Sequence, residues 1–387
     1  MRLELNSIET VIGLILLLMA VPDICRKLGR PALANAFYVI FGILLNPLVD
    51  SEVEVMLVQA GHVGFLLVLF EVGLEIDLPR LSRFIRPLGF ALAWIIVQFP
   101  VVFGLSSLAG LNLAEALIAT AAITSCSLSM TFTAWKNSSL SGAPRDFVLQ
   151  VMVALEVLGI VLLSVGEPVL SHGFDWLILA KLGGIAMTIF LISRFATHVS
   201  RLSQYIIERA THWRVHFLVL LVLAICALGD RLNLPAAKTA FFLGLFMSRA
   251  EFQDAGIAEH IAPISRRFLI PLFFVSLGIL VNREMLLSYT AIMGVCGALL
   301  VLGVRGVIHR RWLDTGGGEQ TYLLLSPNLT IVALAAASFL KVEGGEAAAT
   351  WTTLVGLFIS MFALFLLPRQ NGQASIQHPT SNLQRSG

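Results

Sequence analysis

The amino-acid sequence predicts an all-α integral membrane protein with about 13 transmembrane helices. The first observation is composition: 57% of the 387 residues are hydrophobic and 13% are charged, against about 25% charged in soluble domains. The second is that the apolar residues form long runs, most of them close to the roughly 20 residues that cross a bilayer as a helix. The third is that two of these runs are interrupted by polar residues at corresponding places, which is typical of secondary transporters.

The predicted helices are separated by breaks that are charged or contain Gly and Pro. The acidic start, MRLELNSIET, and the lack of a small-residue cleavage site predict that the first helix is retained rather than removed as a signal peptide. The polar stretch 369–387 predicts a disordered tail. The approximate bounds of the helices are 8–24, 31–48, 56–74, 87–109, 113–135, 147–165, 175–196, 214–230, 235–250, 267–282, 287–308, 319–340 and 350–367.

Basic residues gather in alternate loops, and this pattern sets the predicted orientation. The loops after helices 1, 3, 5, 7, 9 and 11 carry Lys and Arg, whereas the remaining loops carry few of either. Because basic loops stay in the cytoplasm, we predict a multi-pass protein of the cell (inner) membrane with its N-terminus outside and its C-terminus cytoplasmic. The net charge of +2 is scattered over these loops, so no nucleic-acid partner is predicted.

The order of the helices predicts two inverted six-helix repeats. Helices 1–6 begin outside and helices 8–13 begin inside, because one linker helix separates the two halves. We predict a first repeat over 1–168, a linker helix and loop over 169–213, a second repeat over 214–368 and the tail over 369–387. Short apolar similarities support the repeats, such as Phe41–Leu45 with Phe242–Phe246.

The fifth helix of each predicted repeat is interrupted by polar residues. Helix 5 contains Thr124-Ser-Cys-Ser-Leu-Ser129 and helix 12 contains Ser326-Pro-Asn-Leu-Thr330. Proline removes a backbone donor and disfavours helix in the residue before it, so we predict two discontinuous helices that cross beside Glu156. Paired interruptions of this kind indicate a binding site near the membrane midplane. The alternative is that the Ser and Thr hydroxyls only bond back to their own helix.

Glu156 is the most informative single residue. Within the apolar stretch 147–165 the other polar side chains are Gln150 and Ser164, so this carboxyl group lies near the middle of a predicted helix. A carboxylate at that depth is costly to insert and usually faces a cavity, a partner or a bound ion. A proton and a cation would compete for this one group, which is the physical basis of exchange. The alternative is a permanently protonated carboxyl group that bonds to a neighbouring helix.

Several short motifs resemble the monovalent cation:proton antiporter superfamily, in the form of the bacterial Na⁺/H⁺ and K⁺/H⁺ exchangers. The resemblance runs from about residue 10 to 367 and implies a homodimeric secondary transporter that exchanges Na⁺ or K⁺ for H⁺. No cofactor is predicted. The motifs, in chain order, are Gly42-Ile-Leu-Leu-Asn-Pro47, Phe70-Glu-Val-Gly-Leu-Glu75, Ala122-Ile-Thr-Ser125, Leu155-Glu156-Val-Leu-Gly159 and Phe273-Phe-Val-Ser-Leu-Gly278.

The resemblance places Glu156 where the family carries the acid that binds the cation or proton. Thr124 and Ser125 would add neutral oxygens, which hard cations prefer as ligands. Arg305 takes the place of the basic residue of helix 11, although it lies close enough to the basic cluster at Arg310 to snorkel to the cytoplasmic surface instead. Further candidates are Glu71 as a second carboxylate, or alternatively a structural partner of a basic residue, and the polar residues Ser127, Asn328 and Thr330.

Three departures from the family pattern concern its ion chemistry. Leu155 replaces the first acid of the usual pair, Arg305 stands where Lys is common, and Pro327–Thr330 replaces a P-R-G-E motif. Because one acid remains to titrate, we predict electroneutral exchange of one cation for one proton. Lys181 and Lys238, near predicted helix ends, are interpreted as interfacial anchors.

The sequence also allows two other functions. The same scaffold could carry a small anion coupled to a proton or a cation, or it could serve as a transport-inactive membrane scaffold or sensor. An intramembrane enzyme is disfavoured, because the sequence contains neither G-x-S-x-G nor H-E-x-x-H and no paired catalytic aspartates on facing helices.

Overall fold

The computed structural model describes residues 7–49, 51–75, 81–136, 138–172, 187, 214–231, 236–248, 265–281, 283–286, 289–312 and 321–368. Within these ranges the regular structure is helical and contains no strand. Eight stretches of the described residues are long and apolar enough to cross a membrane, and three shorter apolar helices accompany them. The predicted all-α membrane fold is therefore confirmed.

The helices follow the predicted segments closely. Every predicted helix except the seventh coincides with described helical residues, and the seventh, 175–196, lies outside them apart from Met187. The total of 13 crossings therefore stays a prediction. The α-helices are α1 (Ser7–Lys27), α2 (Ala34–Leu45), α3 (Ser51–Glu75), α4 (Leu81–Leu108), α5 (Leu113–Thr124), α6 (Leu128–Lys136), α7 (Gly142–His172), α8 (Arg214–Arg231), α9 (Ala236–Ser248), α10 (Ile270–Ile279), α11 (Arg283–Leu286), α12 (Tyr289–Arg311), α13 (Thr321–Leu324), α14 (Leu329–Phe339) and α15 (Glu346–Leu366).

In one set of helices, which we call the panel bundle (α1–α3 and α8–α10), two helix pairs cross at glycines. Helix α2 packs along α10, and α3 packs along α9. Gly42 faces Gly278 at the first crossing, and Gly73 faces Gly244 at the second. A Cβ at any of these four positions would collide with a backbone carbonyl of the partner helix. These glycines therefore allow two pairs of backbones to approach closely.

The remaining long helices form a second group, the crossing bundle (α4–α7 and α12–α15). Here α4, α5 and α7 pack on one another, and α15 packs on α12 and α14. Contacts between α5 and α14 and between α4 and α12 join the two halves. The broken helices are the centre of this group.

The pairing of helices agrees with the predicted inverted repeats. In those repeats α2 corresponds to α9 and α3 to α10. The symmetry that relates the repeats therefore makes the pair α9–α3 the equivalent of the pair α2–α10. Both pairs form, and both cross at glycines. The repeat boundaries themselves stay a prediction, and α7 continues to His172, beyond the predicted boundary at residue 168.

Lys238 corrects one expectation from the sequence. We predicted an interfacial anchor near a helix end, but Lys238 is only 1% exposed. It lies in the first turn of α9, which packs between α3 and α8. Position near a helix end therefore did not reveal burial, because neighbouring helices cover that turn.

Candidate ion site at the helix crossing

Two broken helices meet in the crossing bundle, as the sequence predicts. Helix α5 ends at Thr124 and α6 begins at Leu128, while α13 ends at Leu324 and α14 begins at Leu329. The two breaks are in direct contact, because the Ser127 amide donates to the Pro327 carbonyl at 2.7 Å. Four helix ends therefore point toward one small region. At two of them backbone amides, and at the other two backbone carbonyls, have no partner within their own helix.

Proline makes the contact between the breaks one-sided. Pro327 has no N–H and cannot return the hydrogen bond that its carbonyl accepts from Ser127. The Ser127 carbonyl instead accepts from the Thr131 hydroxyl at 2.9 Å. A second link joins the breaks through side chains, since the Ser127 hydroxyl donates to the Thr330 hydroxyl at 2.7 Å.

Glu156 lies at the amino end of the half-helix α6. Its side chain comes from α7 and is fully buried, and Oε2 accepts from the Leu128 amide at 3.1 Å. Leu128 is the first residue of α6. The free amides and the dipole of a helix amino end favour a negative charge. The crossing therefore provides a place where Glu156 can be ionised inside the protein.

Ser360 occupies the corresponding place at the other break. It extends from α15, and its hydroxyl accepts from the Asn328 amide, next to the start of α14, at 3.2 Å. The two half-helices that begin at the breaks, α6 and α14, thus each start against a side chain from the next long helix. One of these side chains carries a carboxyl group and the other a hydroxyl, so the site is chemically asymmetric.

Arg305 lies at the carbonyl ends of the other two half-helices. It is fully buried on α12, its Nη1 donates to the Ser326 carbonyl at 2.9 Å, and its Nη2 donates to the Ile123 carbonyl. Its Nε donates to Oε1 of Gln98 at 2.7 Å. A cation is stabilised at carbonyl ends by the helix dipole. Arg305 therefore does not snorkel to the surface.

The hydroxyls of Thr124 and Ser125 bond back to their own helix. Thr124 donates to the Thr120 carbonyl at 2.8 Å, and Ser125 donates to the Ala122 carbonyl. Both residues are fully buried. A hydroxyl oxygen that donates its proton keeps lone pairs for a cation. Back-bonding and ion binding are therefore compatible at these two positions.

Ser125 is packed against the helix that carries Glu156. A Cβ at Gly159, three residues after Glu156, would lie 2.7 Å from the Ser125 Cβ. The absence of a side chain at Gly159 thus lets the end of α5 approach α7. This contact explains why a small residue follows Glu156 at this spacing.

Asn328 links the two breaks through its amide group. Its Nδ2 donates to the Ile123 carbonyl at 2.7 Å, and its Oδ1 is buried without a hydrogen-bond partner among the described residues. A buried acceptor of this kind is a ready oxygen ligand for a cation or a water. Leu155, in the place of the family's first acid, is fully buried and apolar.

Most of the predicted site residues meet at the crossing. Glu71 does not belong to this group, because it is buried on α3 of the panel bundle, 4% exposed. The side chain of Ser129 lies outside the described part of the chain. The residues that come together at the two breaks and their immediate contacts are Thr124, Ser125, Ser127, Glu156, Arg305, Asn328 and Thr330.

Two residues of this network were missed by the sequence analysis. Gln98 is the one amide within the apolar part of helix 4, which is a usable signal. Ser360 gives no signal of its own, because a single Ser in an apolar helix usually bonds to its own backbone. Its role depends on the contact between α15 and the second break.

Comparison with known proteins places the chain in a family. The model of the family described as "Sodium/hydrogen exchanger, transmembrane" matches residues 13–367, which include both breaks. The chain belongs to this family. The match confirms the resemblance inferred from the motifs.

Sodium/hydrogen exchanger relatives share part of the sequence. The chain is 24% identical over 274 residues to a Na⁺/H⁺ antiporter of Enterococcus hirae, which is 67% of this chain and 69% of that protein. It is also 24% identical to the Na⁺/H⁺-K⁺ antiporter GerN of Bacillus cereus, over 66% of this chain and 67% of GerN. The fold matches that of the sodium proton antiporter MjNhaP1 from Methanocaldococcus jannaschii, with a TM-score of 0.71, 15% identity, and coverage of 93% and 95% of the two chains.

Proposed function

We propose that this protein exchanges a monovalent cation, Na⁺ or K⁺, for H⁺ across the membrane, with Glu156 as the shared site. The observation that carries the proposal is the hydrogen bond from the Leu128 amide to the fully buried Glu156 carboxylate, where two broken helices touch. The names of the relatives from Enterococcus and Bacillus support cation and proton as the exchanged species, and the name of GerN keeps K⁺ as a candidate beside Na⁺.

The chemistry requires one group that binds either ion but not both. A proton on Glu156 neutralises the carboxylate, and a cation neutralises it by coordination, so each ion displaces the other. Thr124, Ser125 and the Oδ1 of Asn328 offer neutral oxygens, which suit a hard cation. Ser127 and Thr330 hold the two breaks together and are candidates for further oxygens.

The stoichiometry that we propose is one cation for one proton. Leu155 removes one of the two titrating acids of the usual pair, and Arg305 has no acidic side chain within ion-pair distance among the described residues. Glu156 is then the single carboxyl group at the crossing in the described part of the chain. Exchange of one positive charge for another moves no net charge.

Alternating access would come from movement of the crossing bundle against the panel bundle. A cavity of about 80 Å³ separates the two bundles at the ends that the loop charges place outside. It is lined mainly by apolar residues of α3, α10, α14 and α15. At the opposite end the bundles are bridged, because Arg30 donates to the Leu364 carbonyl at 2.7 Å and lies over the Phe365 ring. This arrangement supports an outward-facing state.

The proposed assembly is a homodimer in the cell (inner) membrane, with the N-terminus outside. Helix α1 supports a dimer contact, because it carries an apolar face of exposed residues such as Ile12, Leu16 and Met19. An exposed apolar face also suits lipid, so native mass spectrometry in lipid discs is the measurement that decides. A monodisperse monomer there would contradict the dimer.

Proton flux in proteoliposomes tests the proposed function. Vesicles containing the purified protein and an internal pH dye are given gradients of Na⁺, K⁺ or a cation that does not permeate, with the membrane potential clamped. We expect Na⁺ or K⁺ to drive proton movement at a rate independent of voltage. A rate that follows the voltage would contradict electroneutral exchange. Proton flux that requires Cl⁻ or an organic anion would favour an anion carrier, and no flux with any ion would favour an inactive scaffold.

A further inference from the structure

Gln98 is a fully buried amide whose two ends are both engaged. Its Oε1 accepts from Arg305 Nε at 2.7 Å, and its Nε2 donates to the Trp94 carbonyl at 2.9 Å. Arginine can only donate and a carbonyl can only accept, so these partners fix the orientation of the amide. Gln98 therefore presents an acceptor, and no other group, to the guanidinium.

The guanidinium of Arg305 is held by three elements of the crossing bundle. Two of its partners are backbone carbonyls at the ends of α5 and α13, and the third is the Gln98 side chain of α4. The planar fork of arginine keeps these three directions rigidly related. Gln98 is thus the one side chain among these partners, and it determines how the fork is turned toward the two breaks.

Gln98 occupies the position from which an acidic side chain could offset the charge of Arg305, but its amide is neutral. Glutamate has nearly the same shape and would place a carboxylate on Arg305 Nε at ion-pair distance. With Gln98 in that place, the pair of side chains keeps the full positive charge of Arg305 beside the crossing. In the protein interior such a charge acts on other ions over many ångströms, because it is weakly screened.

We propose that Gln98 is a positioning residue that sets the cation affinity of the site. It aims the Arg305 guanidinium at the carbonyl ends of α5 and α13 and leaves its charge uncompensated. The uncompensated charge repels a cation bound at Glu156 and so favours its release. This inference rests on the proposed cation exchange and adds a residue that controls affinity rather than one that binds the ion.

Two substitutions at Gln98 separate charge from packing. Gln98→Glu keeps the shape and the bond to Arg305 but neutralises the guanidinium, so it lowers the KM for the cation by about 3-fold to 10-fold. Its turnover also falls, because release is slower. Gln98→Met keeps the length but removes the acceptor, so turnover falls while the KM does not decrease. Structural damage alone would not tighten cation binding.

The experiment measures KM and kcat for cation-driven proton flux in proteoliposomes of wild type and both variants. Thermal stabilisation by the same cation in detergent gives a second reading of affinity that needs no transport. The cation concentration that produces a given rise in melting temperature should be lower in the Gln98→Glu variant by the same factor as its KM. A KM that is unchanged or higher in Gln98→Glu, or one that falls equally in Gln98→Met, overturns the role of Gln98. Absence of exchange in the wild type would instead overturn the proposed function.

Discussion

Arg305 and Glu156 are stabilised by different groups at the crossing. A buried cation normally needs an acid, yet the partners of Arg305 among the described residues are two carbonyls and one amide. The acid of the site, Glu156, is bound instead to an amide at the start of α6. Positive and negative charge are thus each stabilised by helix ends of opposite polarity.

We expect Arg305→Ala to lower the exchange rate by at least about tenfold, because hydrogen bonds to charged groups contribute about 1.5–3 kcal/mol each. Arg305→Lys should be milder, since lysine keeps the charge but loses the planar fork. The rate is measured in proteoliposomes at equal protein content, with membrane insertion checked on gels. Unchanged transport in Arg305→Ala would show that the guanidinium serves packing alone.

The sequence could predict Glu156, Arg305 and the polar residues of the two breaks as candidates, but not Gln98 and Ser360, which contact Arg305 and the second break. One acid in an apolar stretch is conspicuous because its insertion is costly. Gln98 and Ser360 are neutral and cost much less to insert, so their presence in an apolar helix does not by itself predict a functional role. Their roles depend on which helices meet, and that information is not local in sequence.

Among the helices, the glycine contacts of the panel bundle make the clearest prediction. Gly278→Ala would place a Cβ against the Val39 carbonyl, so α2 and α10 would have to separate. We expect a loss of roughly 1–3 kcal/mol of stability, which is typical of overpacking. The matched control is Gly89→Ala on α4, where a Cβ meets nothing within 4 Å and alanine favours the helix.

Thermal unfolding of the purified proteins in detergent compares the two glycine variants. The melting temperature of Gly278→Ala should fall, and that of Gly89→Ala should be unchanged or higher. Equal melting temperatures for the two would contradict close packing of α2 on α10.

The broken helices could be predicted because their causes are local. Pro327 and the run of Ser and Thr residues after Ile123 each disfavour a continuous helix. The pairing of α2 with α10 and of α3 with α9 could not be predicted with the same force. Glycines occur throughout the chain, and several, such as Gly89 and Gly104, face open space.

For the whole molecule, the bridge formed by Arg30 predicts which side is open. Arg30 joins the panel bundle to the end of α15 on the predicted cytoplasmic side, opposite the cavity between the bundles. Removing this bridge should lower the population of the state in which the outer cavity is open, because the bridge would have to break for the opposite side to open. We expect Arg30→Ala to reduce the outward-open population by about 3-fold to 10-fold, given the strength of charged hydrogen bonds.

Cysteine labelling from outside measures this population. Ala337 lines the cavity, so Ala337→Cys is labelled with a membrane-impermeant thiol reagent in a Cys296→Ser background. The matched control is Arg26→Ala, because Arg26 pairs with Asp23 of its own helix and does not join the bundles. Slower labelling in Arg30→Ala than in Arg26→Ala is the expected result. Equal labelling would contradict the bridge.

Cation-driven proton flux in the Glu156→Gln variant tests whether Glu156 is the shared cation and proton site. The amide has the shape of the acid but neither releases a proton nor carries the charge that holds a cation. Glu156→Gln should therefore abolish coupled exchange with Na⁺ and with K⁺, while Glu156→Asp, which keeps the carboxylate, should retain activity with altered affinity. Full exchange in Glu156→Gln would contradict the assignment of Glu156 as the shared site. Glu71 would then be the remaining candidate carboxylate.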